Sequence, residues 1–218
     1  MSPIRVIKIG GSLLQRQGLL SDLHSWQSTL VDQMANVWIT GGGAAVDAIR
    51  KQDQTLGLSN DAAHWASIKA MDDNTATLAR RLSNWQITNE PKDVLQLADK
   101  QTNNLGSPQL STKNWLLQTH RWIKSTNNRP GSHQQLPRSW DVTSDSIAAW
   151  VAIQLRASQL ILLKSCLVPT ATIPKLARLG IVDPYLQTFD LQRHGIQFTC
   201  KRLPCTLHGF HENVTANN

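Results

Sequence analysis

The chain has 218 residues, 40% hydrophobic and 17% charged, with 22 Lys+Arg against 15 Asp+Glu and a net charge of +7. This excludes a disordered or fibrous chain, and the length suits one substantial domain with a self-sufficient core. The longest apolar run, residues 147–153, is far short of the roughly 20 residues a membrane span needs. Met1-Ser2-Pro3 leads directly into a strand-like segment, which leaves no room for a signal peptide. Three cysteines are too few for a disulfide framework and suit a reducing compartment. A cytoplasmic protein without membrane contact is expected. The basic residues are scattered in runs no longer than pairs such as Arg80-Arg81 and Lys201-Arg202. No RNA-type aromatic motif accompanies them, so nucleic acid is not an expected partner, and small anionic substrates are.

In chain order, residues 4–9 form a short β-branched strand that stops at Gly10-Gly11-Ser12. Residues 19–34 have helical apolar spacing, and residues 37–40 form a second strand that stops at Gly41-Gly42-Gly43. A helix over 44–51 opens off those glycines. A longer one runs from Ser59, a candidate N-cap, to about Leu82. Residues 85–88 and 115–118 read as strands. The Gln-, Asn-, Ser- and Thr-rich stretch from 88 to 137, broken by four prolines, predicts short elements and loops. A helix over 144–157, a strand over 159–163, a helix over 184–194 and a strand over 196–199 follow. The alternation predicts a three-layer αβα sandwich around a mostly parallel sheet. Both glycine turns fall at strand carboxyl ends, where such sheets bind ligands.

No Walker A or Gly-x-Gly-x-x-Gly loop is present, so neither of those phosphate-binding loops operates here. Glycine turns still let backbone N–H groups approach an anion, and a following helix adds its dipole. They also serve simply as tight connections. Lys8 shares a strand face with Val6 and Gly10, so it points where the first turn leads. A buried lysine there demands a counter-charge or ligand; the alternative is a half-exposed sheet edge. Residues 139–146, Ser-Trp-Asp-Val-Thr-Ser-Asp-Ser, gather more hydroxyls and carboxylates before an apolar helix than capping alone requires. Within them, Asp145 is placed to pair with a lysine.

Lys8-Ile9-Gly10-Gly11-Ser12, Gly41-Gly42-Gly43, Thr143-Ser144-Asp145-Ser146 and Leu160-Ile161-Leu162-Leu163-Lys164 together resemble, in order, the amino acid kinase superfamily. That superfamily includes acetylglutamate, aspartate, uridylate and isopentenyl phosphate kinases, and its sandwich has an acceptor half and an ATP half. The resemblance implies a carbamate kinase-like fold in one domain, with residues 1–140 on the acceptor side and 141–218 on the nucleotide side. Ala63-His64-Trp65-Ala66, Ala70-Met71-Asp72 and Ser139-Trp140 further resemble the methanofuran-biosynthesis kinases that phosphorylate [5-(aminomethyl)furan-3-yl]methyl phosphate. Another phosphate or amino acid acceptor in the same fold is the enzymatic alternative. A non-catalytic nucleotide-binding subunit is the other.

The resemblance assigns roles. Lys8, Asp145 and Lys164 are the catalytic set, with Lys175 the alternative second cation. Gly10, Gly11 and Ser12 meet the ATP phosphates. Gly41, Gly42, Gly43, His64, Trp140 and Thr143 meet the acceptor. ATP with Mg²⁺ is implied, the metal held mainly by phosphate and water, with no protein metal site. A homo-oligomer is implied too, with the helix from Ser59 as a candidate interface. The chain departs from its relatives after Lys164, reading Ser165-Cys166-Leu167-Val168-Pro169 where many carry Val-Asp-Gly. Cys200, Cys205, His208 and His211 match no common zinc spacing. Cys166 is expected to be a small buried hydrophobe, and Arg50 a surface arginine or a reach toward an anionic acceptor.

Overall fold

β1 (Ile4–Ile9) is buried along its whole length, because it lies inside the sheet with a parallel neighbour on either side. The structure, a computed structural model, describes residues 3–30, 32, 34–90, 94, 114–127 and 136–205. Six strands form one sheet in the order β3-β4-β2-β1-β5-β6, with β2 Ala35–Thr40, β3 Trp85–Thr88, β4 Asn114–Leu117, β5 Gln159–Lys164 and β6 Gln197–Arg202. Every pairing is parallel. β1 leads to β2 on one side and pairs with β5 on the other, so the strand order reverses there. That reversal opens a crevice at the carboxyl ends of these strands.

Strand alternation splits the core into two layers. Val6, Val37, Leu160 and Leu162 face one side, against Ile68 and Met71 of α3 (Asn60–Ala79), Trp122 and Ile123 of α4 (Thr119–Asn127) and α5 (Ser144–Gln154). Ile7, Ile9, Trp38, Ile161 and Leu163 face the other, against Leu19, Leu23 and Trp26 of α1 (Leu19–Gln27). The result is the expected three-layer sandwich. α5 is buried from Ser144 to Ile153; it is apolar all round because it crosses the middle of the molecule.

Several boundaries differ from the sequence reading. α1 stops at Gln27, where the Ser28 and Thr29 hydroxyls donate to the carbonyls of Ser25 and Trp26 and compete with the helical ladder. α2 (Gly43–Leu56) runs further than expected, to Gly57 in the left-handed region at φ 62°. Ser59 caps α3 as expected, accepting from Ala62 N–H at 3.2 Å. The expected helix over 184–194 is only a 3-10 turn, Pro184–Thr188, because Phe189 swings into extended backbone. Cys166 is exposed, contrary to expectation. Most of the expected loop region, residues 91–93, 95–113 and 128–135, lies outside the described residues. Among the described residues no helix is long and apolar enough to cross a membrane.

Candidate active site

The two glycine turns follow adjacent strands and touch. A Cβ on Gly43, whose φ is +55°, would stand 2.7 Å from the Gly11 carbonyl oxygen, and one on Gly11 would stand 2.8 Å from Gly43 Cα. Side chains at either position would wedge the turns apart. Asn74 of α3 ties the second turn down, its Nδ2 donating to the carbonyls of Gly41 and Gly42 at 2.9 Å each. A 3-10 turn (Gly11–Leu13) and α2 begin at these glycines. Their leading N–H groups have no partner within the helix, and their dipoles are positive at that end. The expected donor role of Gly10 is corrected: its N–H already donates to Leu163 O at 2.8 Å. The amides left for a phosphate on this turn are those of Gly11 and Ser12.

Beneath the turns lie three charges. Lys8 on β1 and Lys164 at the end of β5 both meet Asp145 in the first turn of α5. Lys8 Nζ is 2.8 Å from Asp145 Oδ1, and Lys164 Nζ donates to Oδ2 at 2.6 Å. Exposures are 4% for Lys8, 4% for Asp145 and 9% for Lys164, so a sheet-edge lysine is excluded. Burial pushes the Lys8 ammonium below its usual value, Asp145 pulls it back up, and Lys164 pushes it down again. Burial alone would raise Asp145, but the two lysines hold it below the usual carboxylate range. Two cations share one carboxylate, and the buried Asp183 carboxylate adds a further favourable charge toward Lys8. Lys175, on α6 (Ile173–Arg178), is exposed and pairs with no carboxylate in this cluster.

Asp183 holds α5 in position, and nothing in the sequence pattern singled it out. It accepts from the N–H groups of Thr143 and Ser146 at 3.1 and 3.0 Å, from the Thr143 hydroxyl at 2.7 Å, and from the Ser146 hydroxyl. Thr143 also caps Asp145 N–H. The hydroxyl-rich run is thus largely the cap of α5.

A cavity of about 300 Å³ opens beside this cluster, lined by Gly11, Ser12, Gly42, Gly43, His64, Trp140 and Thr143 among others. Seven of the twelve residues expected at the site therefore share one cavity, and Lys8, Asp145 and Lys164 form the adjoining ion cluster. Gly10 and Gly41 stand behind the turns and do not line it. Ala63, Ile68, Met71, Val142 and Ile147 supply an apolar wall. Burial, with the nearby Arg138 charge, lowers the His64 pKa, so its imidazole is neutral at pH 7. Trp65 is not among the cavity-lining residues and packs edge-on to His120. Ser12 and Ser165 hydroxyls meet at 2.7 Å, tying the segment after Lys164 to the first glycine turn. No group of three metal-binding side chains occurs among the described residues. Burial pushes the Cys200 thiol up to about 11, and His208 and His211 lie outside the described residues.

Residues 3–166 match the amino acid kinase family, three quarters of the chain. The chain belongs to that family. Its fold is similar to UMP kinase from Ureaplasma parvum, with TM-score 0.61 and 13% identity over 93% of this chain and 91% of that one. It is also similar to uridylate kinase from Archaeoglobus fulgidus, with TM-score 0.57 and 14% identity over 91% and 90%. At these identities the likeness is one of fold. A search of curated proteins found no match. The family match ends at Cys166, within the Ser165–Pro169 segment where the sequence departs.

Proposed function

We propose that this amino acid kinase family member transfers the γ-phosphoryl group of ATP to a small phosphate monoester. The observation that carries this reading is a pair of buried cations, Lys8 and Lys164, converging on one carboxylate beside two touching glycine turns. Such a pair of cations suits a polyanionic ligand. Phosphoryl transfer asks a protein mainly for positioning and charge cover, and a phosphate monoester brings its own anionic nucleophile, so no general base is required. Lys8 and Lys164 then neutralise charge on the transferring group, the amides of Gly11 and Ser12 hold the donor phosphates, and those of Gly42 and Gly43 hold the acceptor phosphate. Asp145 spaces and orients the lysines.

Mg²⁺ fits this chain only as a companion of ATP. Asp145 Oδ1 lies in ion-pair contact with Lys8, Oδ2 accepts from Lys164, and both Asp183 oxygens accept hydrogen bonds, so both carboxylates are committed to protein groups. When bound, the metal supplies charge neutralisation on the phosphates. Apart from the Gly11–Ser12 turn and Thr143, roughly residues 1–140 then form the acceptor side and 141–218 the nucleotide side.

The acceptor we favour is (5-aminomethylfuran-3-yl)methyl phosphate, converted to its diphosphate in methanofuran-type cofactor biosynthesis. It is supported by the sequence resemblance and by an apolar-walled cavity with Trp140 and neutral His64 beside the phosphate-ready glycines. The fold likeness to UMP kinase favours a nucleoside monophosphate as the second reading. ADP release with Mg-ATP decides between them, across the furan phosphate, its dephosphorylated alcohol, UMP, isopentenyl phosphate and acetylglutamate. Release with the furan phosphate alone is expected. Release only with UMP moves the acceptor to the second reading, and ATP binding without release on any acceptor overturns the kinase reading in favour of a regulatory subunit. The same preparation, sized by light scattering, tests the homo-oligomer proposed through α3.

A further inference from the structure

α2 differs from the other helices around the cavity. None of its 14 residues is buried, whereas α5 is buried along nearly its whole length. Yet α2 forms one wall of the cavity, through Gly43, Val46, Asp47 and Arg50. It packs mainly on α3 and on the first glycine turn. Glycines with positive φ stand at both of its ends, Gly43 at +55° and Gly57 at +62°. A helix with so little burial depends on a few specific contacts for its position.

Two such contacts join α2 to Trp140. The Trp140 indole Nε1 donates to Asp53 Oδ2 at 2.6 Å, and the Arg50 guanidinium lies 4.6 Å over the same ring. Arg50 and Asp53 are three residues apart, so they share one face of α2. Between them they hold the indole by its edge and its face. Trp140 lines the cavity and Asp53 does not, so Asp53 can influence a bound molecule only through the indole and the helix.

We propose that Asp53 and Arg50 latch α2 to Trp140 across the mouth of the acceptor cavity, and that this latch sets how tightly the acceptor is held. Asp53 is a positioning residue, Arg50 both positions the indole and lines the cavity, and Trp140 is the wall they position. The proposal rests on the acceptor reading of the cavity for its kinetic consequence and on the structure alone for the latch.

The test compares wild type with Asp53→Ala, Asp53→Asn and Trp140→Phe. Amide hydrogen exchange over residues 43–56 should speed up about ten-fold in Asp53→Ala and in Trp140→Phe, with α3 unchanged. Asp53→Asn keeps a carbonyl oxygen for the indole N–H and should exchange like wild type. With the acceptor that supports ADP release, Asp53→Ala should raise the acceptor KM about ten-fold while kcat and the ATP KM stay within about two-fold. Adding Asp53→Ala to Trp140→Phe should change nothing more. Unchanged exchange in Asp53→Ala, no rescue by Asp53→Asn, or a fall in kcat at constant KM would each overturn the latch. The exchange arm needs no turnover, so it decides the latch even where the kinase reading fails.

Discussion

Arg5 and Lys8 stand three residues apart on one strand, both buried, and they are treated in opposite ways. Arg5, at the amino end of β1, is paired with Asp32 and donates to Asn36 at 3.2 Å and Gln159 at 2.7 Å. Its one charge meets one carboxylate and a ring of acceptors. Lys8, at the carboxyl end, shares Asp145 with a second lysine. Strand alternation sends the two side chains to different faces, and only the Lys8 face opens under the glycine turns. The Arg5 charge has a carboxylate to itself, whereas Lys8 divides its counter-charge with Lys164, the arrangement that the proposed phosphate site uses.

Removing the shared carboxylate should have the largest effect. Asp145→Asn leaves two buried lysines without an anion, at about 3–5 kcal/mol of stability, together with loss of phosphoryl transfer. Urea unfolding and an ADP-release assay measure both. The wild-type cluster also has a defined acid limit. Because Asp145 sits below its ordinary 3.8 in the folded chain, its stabilisation is complete above about pH 3.8 and disappears as the pH falls toward the folded value. A melting-temperature profile of wild type against Asp145→Asn should converge in that acid range; curves that stay parallel would contradict it.

The two strand ends separate most sharply as a pair of methionine variants. Lys8→Met should lower transfer by on the order of 10²–10³ with stability unchanged or raised, since Lys164 still balances Asp145. Arg5→Met should lower stability by about 1–3 kcal/mol, because acceptors on Asn36 and Gln159 lose their partner, with little change in rate. Equal destabilisation by both variants would dissolve the contrast drawn between the two ends.

Glycine substitutions sharpen it next. Gly11→Ala forces the touching turns apart and should impair turnover as well as stability, while Gly57→Ala meets open space and should cost only about 1 kcal/mol of left-handed strain. Activity of Gly11→Ala equal to that of Gly57→Ala would remove the turns from the site. The smallest effect belongs to His64, whose folded pKa lies below 6.5. The unfolded chain takes up the proton first, so stability declines as the pH falls below about 6.5 and levels off below the folded value. His64→Gln should flatten that part of the profile.

The strands and their order along the chain were legible because β-branched runs ending at glycines are local signals. Ile4–Ile9 and Trp85–Thr88 fall where the pattern places them, and Lys8, Asp145 and Lys164, in motif order along the chain, meet in one ion cluster. What escaped notice was residues with no local signature. Asn74 lies 32 residues or more from the carbonyls it holds, and Asp183 lies 37 or 40 from the groups it caps. Asp72 is named in the sequence motif, but its contact is equally long-range: buried and raised in pKa by that burial, it accepts from the His120 N–H at the start of α4, 48 residues away. The helix expected over 184–194 failed because Asp183 and Pro184 start a turn that tertiary packing does not extend. Gly10 was misassigned because a glycine amide looks the same in sequence whether it faces a ligand or continues a ladder.

By itself the sequence determined the alternation of strands and helices, the positions of the two glycine turns and the residue types that could meet a phosphate, since propensity, periodicity and glycine's backbone freedom act within a few residues. Tertiary structure alone decided that the turns touch, that one aspartate serves two lysines, that Arg5 has a carboxylate to itself where Lys8 shares one, and that Trp140 is held from α2. Those outcomes depend on parallel register and on which strand lies beside which, and such long-range geometry leaves no periodic trace in the chain.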